Sequence, residues 1–498
     1  MILHRVDDFI YIDYNSQKFW AHIQKIDFSD PGGSNIRVNA ELNDTREITV
    51  EVPPTEVVDI NGNQYGTTLY DIVSGIYDRT VELSTNTPVG DAFGRLRVSQ
   101  PYTIFDSKEL DGSGDRIWCQ QLNGSATSVK SDPLSQYTLG VSADGDFAIR
   151  QTFQRFSYQA GKSQLALLTG KLATAADVNS RIGLMEGEVS AEASPFNAYN
   201  GMYFSSVDGV FYANIMKNGV ETSIAQSSWN LDKMDGSGKS AIDIDFTKVQ
   251  IFVIDYEWLG VGRVRFGFNV DGVTTYCHQF VHANLTTSVY TKTPNLPIRY
   301  EIRSTGGTDT LQKICASVAS EGGVEQSGIT HIGSSALNTL ANNTAGTNNT
   351  VLAAIRLQSV RPYGTLRLLS MSPLLFSDTP VRWSIALVLG SFEINVNGTP
   401  TAMDDLVGSI DLPGTTINFW EAAATGVDTV LESVVSPYTI EEGYVAGSKN
   451  SPAAAVQPAD NLLTVGQGTD GCRSCFLIYA QAYGANTMRY SLKFKEVI

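Results

Sequence analysis

The sequence predicts a mainly β chain of antiparallel β-sandwich or jelly-roll domains behind a small mixed N-terminal region. Three observations predict it. Apolar residues recur with a period of two, tight-turn dipeptides fall between those runs, and amphipathic helical stripes are almost absent.

Residues 1–88 read as a mixed α/β docking region. Phe9 to Tyr14 and Glu47 to Val52 are strand-like, and Pro53-Pro54 breaks the pattern. Leu69, Ile72, Val73, Ile76 and Tyr77 then follow a helical stripe, with Thr68 and Asp71 as a capping box at its start.

Residues 89–330 read as a central jelly-roll-like sandwich. Asn200-Gly201, Asp208-Gly209, Asn218-Gly219 and Asp271-Gly272 are type I′ turn pairs, because both central residues need positive φ and Asn, Asp and Gly tolerate it best. Spacings of 8 to 10 residues between the first three imply consecutive antiparallel strands. Val264, Phe266, Phe268 and Val270 alternate with Arg263, Arg265, Gly267 and Asn269, the pattern of a strand with one buried and one wet face.

Residues 331–350, rich in Ser, Asn and Thr, read as a linker, and residues 351–498 as a second sandwich. In the latter, Val381, Trp383, Ile385, Leu387 and Leu389 share one face of a strand. Met488, Tyr490, Leu492 and Phe494 share one face of another, opposite Arg489, Ser491, Lys493 and Lys495. No repeat of fixed period points to a propeller or solenoid.

The 498 residues carry 35 Lys and Arg against 52 Asp and Glu, a net charge of −17, which argues against nucleic acid as a partner. It argues equally against attachment to anionic lipid. Charged residues make up 17% of the chain, so uncharged polar groups cover much of the surface. No stretch reaches the length of an apolar membrane span, and acid follows the first residues where a signal peptide needs its apolar region. The expectation is a soluble protein made in the cytoplasm, without membrane insertion.

Of the five cysteines, Cys119, Cys277 and Cys315 read as buried thiols. Cys472-Arg473-Ser474-Cys475 has no second CxxC and no nearby His, and it precedes the strand-like Phe476 to Ala480, so a structural role is expected over a zinc or redox role. Gly161-Lys162-Ser163 and Gly238-Lys239-Ser240 lack the upstream Gly of a phosphate loop and read as turns. His278 and His282 on a strand would stand about 13 Å apart, too far to share an ion. Asp111-Gly112-Ser113-Gly114-Asp115 lacks the spacing of a calcium loop.

Two carboxylate pairs at i, i+2 would each share a strand face: Asp243 with Asp245, and Asp255 with Glu257. Should the chain cleave a glycan, Asp255 and Glu257 beside Trp258 are the candidates, since such enzymes place two carboxyl groups about the scissile bond. Solvated acid pairs are the commoner case. No catalytic, cofactor-binding or metal residue is therefore assigned, no cofactor is expected, and the chain is read as non-enzymatic.

Asp91 to Ser99 (DAFGRLRVS), Pro101 to Lys108 (PYTIFDSK), Arg155 to Gln164 (RFSYQAGKSQ), Asp255 to Gly267 (DYEWLGVGRVRFG) and Thr293 to Glu301 (TPNLPIRYE) resemble virion structural, tail-fibre-like proteins of tailed bacteriophages. The resemblance implies a virion component assembled in the host cytoplasm. It would be a tail-associated fibre, appendage or adaptor subunit serving assembly or host attachment. Its partners would be other virion proteins, a second copy of itself in a trimer or ring, and a host surface glycan. The alternatives are a capsid decoration or head-fibre protein and a glycan-binding or polysaccharide-depolymerising tail protein. Within these segments Gly94, Gly161, Gly260 and Gly262 read as turn or close-packing positions. Arg95, Arg97, Arg263 and Arg265 read as exposed strand faces, either solvated or paired with acids of a neighbouring subunit.

Overall fold

The computed structural model describes residues 9–14, 17–27, 36–42, 47–52, 91–93, 101–110, 117–187, 198–322, 329–334, 338–340, 350–357, 365–375, 380–389, 393–396, 399–402, 417–421, 438–445, 474–483 and 486–497. The expected helix at Leu69 to Tyr77, the loop Asp111 to Asp115, Arg95 and Arg97 lie outside them. The chain divides into two compact units, residues 1–90 and 91–498.

In the first unit β1 (Phe9–Tyr14), β2 (Gln17–Asp27), β3 (Ile36–Leu42) and β4 (Glu47–Val52) form an antiparallel meander.

The second unit continues with β5 (Pro101–Ser107), β6 (Trp118–Asn123), β7 (Thr127–Ser131), β8 (Gln136–Val141), β9 (Phe147–Thr152) and β10 (Gln164–Lys171). There follow β11 (Val178–Gly187), β12 (Ala198–Val207), β13 (Val210–Lys217), β14 (Val220–Ala225), β15 (Gln250–Tyr256) and β16 (Val264–Val270). This part ends with β17 (Val273–Phe280), β18 (Ile298–Ser304) and β19 (Asp309–Glu321). One sheet runs β17-β16-β15-β10-β19-β8-β7, with β5 and β8 sharing an edge of β19. The other runs β14-β13-β12-β11-β18-β9-β6. All these pairings are antiparallel, and the two sheets close on one core, the sandwich expected from the pattern. Phe204 of β12 shows the closure: its ring centroid lies 5.2 Å from that of Phe252 and 5.1 Å from those of Phe266 and Phe268 on the opposite sheet.

Asp208-Gly209, Asn218-Gly219 and Asp271-Gly272 are the tight turns of β12–β13, β13–β14 and β16–β17, with φ of 52° and 77°, 47° and 77°, and 52° and 80°. Asn200-Gly201 is different: it lies inside β12, with Gly201 paired to Met185 and Met216. The Asn200 amide donates to Glu186 Oε1 (2.6 Å) and its carbonyl accepts from the Asn218 amide (3.1 Å), so its polarity is satisfied by tertiary neighbours instead of by a turn.

The C-terminal part contains β20 (Ile329–Ser334), β21 (Asn338–Leu340), β22 (Thr350–Leu357), β23 (Thr365–Leu375), β24 (Val381–Leu389), β25 (Glu393–Val396) and β26 (Thr399–Ala402). It ends with β27 (Ile417–Glu421), β28 (Tyr438–Val445), β29 (Ser474–Ala482) and β30 (Asn486–Val497). A β20-β30-β21 sheet with β23 beside β30 shares a core with a β27-β22-β29-β24-β28 sheet, and β25 and β26 form a separate hairpin. Met488, Tyr490, Leu492 and Phe494 of β30 are buried while Arg489 and Lys493 are exposed, as their alternation predicts. The tract 331–350 expected as a linker carries most of β20 and all of β21, both paired with β30. Its Asn residues are depleted in strands, yet edge pairing draws on backbone groups that every residue but Pro supplies in full.

Candidate functional site

The loop joining β15 to β16 gathers the half-buried aromatic residues that sequence reasoning singled out only in part. Residues 257–263 turn sharply, with Leu259 at φ 37° and Gly260 at φ 82°, and the Gly262 amide donates to Trp258 O (2.8 Å). A Cβ on Gly262 would lie 2.4 Å from Glu257 Cγ, so the closeness of the turn itself demands glycine there.

The Trp258 ring meets Tyr158 edge-on at 6.4 Å, and Tyr158 stacks against Tyr256 at 5.9 Å. Both rings are anchored by polar bonds: the Trp258 amide donates to Tyr158 Oη (3.0 Å) and its Nε1 to Thr291 O (3.1 Å). Behind them Tyr290 donates to Glu257 O (2.8 Å) and stacks on His282, centroid to centroid 4.4 Å. His282 Nδ1 lies 2.6 Å from Gly262 O. Burial, aided by Glu257, raises the Tyr158 phenol above its usual pKa, and burial raises that of Tyr290 further. Burial lowers the His282 imidazole, against the opposing pull of the Gly262 carbonyl. The loop end therefore offers rings, phenols and an uncharged imidazole near neutral pH, beside the Glu257 carboxylate.

The two carboxylates proposed for catalysis take separate structural roles. Asp255 is fully buried within β15: Oδ1 accepts from Ser163 Oγ (3.0 Å), and Oδ2 from Arg265 Nη2 (2.5 Å) and Tyr276 Oη (2.8 Å). Glu257 lies beyond the strand end, where its Oε1 accepts from the Arg263 amide (3.0 Å) and braces the loop. Arg265 is 0% exposed, which corrects its reading as part of a wet face; register pairs it directly with Asp255 across β15 and β16. Arg263 is half-buried and donates from Nε to Ala92 O (2.9 Å).

Asp243 and Asp245 are exposed and lie outside any extended strand; Asp243 makes an isolated bridge with Asp235, and Asp245 accepts from Thr247. His278 is buried on β17, with Nδ1 accepting from the Asn230 amide (3.2 Å), and burial lowers its pKa from 6.5 to about 4. Gly161 sits in a turn at φ 84°, and Ser240 donates its amide to Asp232 Oδ2 (2.8 Å). Cys277 and Cys475 are buried free thiols. Cys315 is exposed instead of buried, and Cys119 is disulfide-bonded instead of free, its partner lying outside the described residues; neither exposure nor pairing can be read from spacing. Among the described residues no group of three or more His, Cys, Asp or Glu is placed to hold a metal ion, and no helix is long and apolar enough to cross a membrane.

A second polar cluster, with no sequence motif, occupies the outer face of the β11–β18 sheet. Arg299 Nε donates to Glu301 Oε2 (2.6 Å), Arg181 Nη1 to Glu301 Oε1 (2.9 Å), and Tyr203 to Glu221 Oε1 (2.5 Å). Four strands bring these groups together, so only the alternation of Arg299 and Glu301 around the core residue Tyr300 signalled part of it.

No family model matches the chain, and no curated protein matches it. Among solved structures it is similar to the laminarinase catalytic domain from Thermotoga maritima MSB8 (13% identity, 44% of this chain and 98% of that one, TM-score 0.30). It is similar also to the Emp46p carbohydrate recognition domain in its potassium-bound form (10%, 45% and 98%, 0.29). A third is the legume lectin-like domain from Entamoeba histolytica (12%, 44% and 98%, 0.25). Likenesses at these scores say nothing about what this chain binds.

Proposed function

We propose that the chain is a non-enzymatic structural subunit whose central sandwich binds glycan at the Tyr158–Trp258 loop end. The observation that supports it most directly is the pair of half-buried rings held edge to face by their own hydrogen bonds. Rings fixed in this way present apolar faces to a sugar at little entropic cost, with carbonyl and carboxylate acceptors nearby for its hydroxyls. Leu259, 52% exposed at the tip, extends the apolar surface. Hydrolysis has less support, because Asp255 is sealed in an ion pair and two accessible carboxyl groups about one cleft are what cleavage needs.

The setting follows the sequence resemblance: a tailed-phage particle, with this chain as a tail-associated fibre, appendage or adaptor subunit. Locating the chain in a reconstruction of the particle tests that setting, and density covering the head lattice would replace it with a decoration role. A glycan array probed with the full chain tests the binding. The expected outcome is a defined set of bound glycans whose signal falls at least tenfold in Trp258→Ala, about 1.4 kcal/mol. Binding by wild type that Trp258→Ala and Tyr158→Ala leave unchanged would sink the assignment of the site, and an array blank for wild type would sink the function.

A further inference from the structure

Buried charge pairs recur in the central sandwich, and one differs in kind from the others. Glu186, Glu301 and Asp255 are each buried against arginine, which keeps its proton in any protein environment. Each also has further donors: Asn200 for Glu186, a second guanidinium for Glu301, and Ser163 and Tyr276 for Asp255. The remaining pair is Lys313 with Glu109, both side chains 0% exposed. Apart from their mutual contact, Lys313 Nζ and both Glu109 carboxylate oxygens have no hydrogen-bond partner.

The backbone aligns these groups. Lys313 lies two residues after the core residue Leu311 on β19, so it points between the sheets, and its Nζ stands 3.9 Å over the Trp118 ring. Glu109 follows β5, which pairs with β19 through Ser107 and Ala316; continuing that register brings Glu109 level with Ile314, one residue from Lys313. Phe105 and Trp118 form the surrounding wall, the Trp118 indole being engaged with Ser107 Oγ (2.8 Å).

We propose that Glu109 and Lys313 are joined by an intramolecular amide bond between Glu109 Cδ and Lys313 Nζ. An ammonium and a carboxylate kept dry without further donors are costly, and proton transfer within the pair relieves both charges at once. Burial lowers the Lys313 amine from 10.5 to about 7, which makes its free base accessible. The nitrogen lone pair then attacks Glu109 Cδ, a C–N bond forms, and one C–O bond breaks. The departing oxygen carries away, as water, the two protons that the ammonium lost, and the nitrogen keeps one. No oxidant, reductant or co-reactant enters. Fixing the two groups in contact supplies the proximity that an ordinary amine and acid in water lack. The product is one neutral amide, cheaper to keep dry than two ions. It would tie the first strand of the sandwich to its last across a span that the other contacts hold only by pairing.

Intact-mass spectrometry of the denatured, reduced full chain tests this. The expected mass is one water below that of the sequence, and proteolysis should yield a branched peptide containing Glu109 and Lys313 that survives reducing agent. Lys313→Met and Glu109→Ala should each restore the full mass. A wild-type mass equal to that of the sequence overturns the proposal without reference to any variant, as does a water loss that persists in Lys313→Met.

Discussion

Asp255→Asn is the perturbation that best separates a structural from a catalytic Asp255. The substitution keeps shape and one acceptor oxygen, where Asp255 uses Oδ1 for Ser163 and Oδ2 for Tyr276, while removing the charge opposite Arg265. Both groups are 0% exposed, so neutralising one partner of this buried pair costs about 3–5 kcal/mol. At an m-value of about 3 kcal/mol/M in urea, this moves the unfolding midpoint down by about 1 M or more. The assay is urea unfolding of the full chain followed by tryptophan fluorescence, since Trp118, Trp229 and Trp258 report on this sandwich. Adding Arg265→Met removes the guanidinium opposite the Asn as well, so the double variant is expected to be more stable than Asp255→Asn alone. A stability for Asp255→Asn within about 0.5 kcal/mol of wild type would refute the reasoning, because that is the scale of an inconsequential surface change. Loss of a glycan-cleaving activity at unchanged stability would return Asp255 to the catalytic candidates.

Two further predictions concern the same sandwich. His278 binds its proton less readily folded (about 4) than unfolded (6.5), so stability is full above pH 6.5, falls as pH drops from there towards 4, and levels off below. His278→Gln should flatten that part of a stability-against-pH curve, and a wild-type curve flat over the same range would contradict the buried placement. Gly272, at φ 80° with open space around it, is expected to lose about 1–2 kcal/mol on substitution by Ala from backbone strain alone. Gly183→Ala should cost more by thermal melt, because its Cβ would lie 2.4 Å from Tyr203 Cβ; equal losses at the two sites would show that packing between β11 and β12 is looser than the register implies.

Much of the β architecture was legible because strands write a local signal. Met488 to Phe494 alternates as its burial does, Val264 to Phe268 alternates in polarity but is buried on both faces, and three of the four turn dipeptides sit where positive φ is needed. Asn200-Gly201 carries the same letters but sits in a strand, since what satisfies Asn200 is Glu186 on the neighbouring strand. The polar face of Val264 to Val270 misled in the same way: Arg265 looks solvated until Asp255 is placed opposite it. That pairing could have been found by folding Tyr256 against Val264 and counting back one residue. Of the candidate site, Trp258 and Glu257 were named from sequence. Tyr158 and His282 lay in motifs read for other reasons, and Tyr290 carried no signal, because the loops that bring the three together are distant in the chain.

By itself the sequence determined the all-β class, most strand faces and most tight turns, since side-chain alternation and left-handed φ are properties of one residue and its neighbours. Only the tertiary structure decided which charges are buried, which carboxylates are bound in ion pairs, which rings share a loop end and which lysine meets which glutamate. Those depend on pairings such as Glu109 with Lys313 or Arg155 with Glu186, in which strand order sets the neighbours and the low polarity between sheets sets the chemistry.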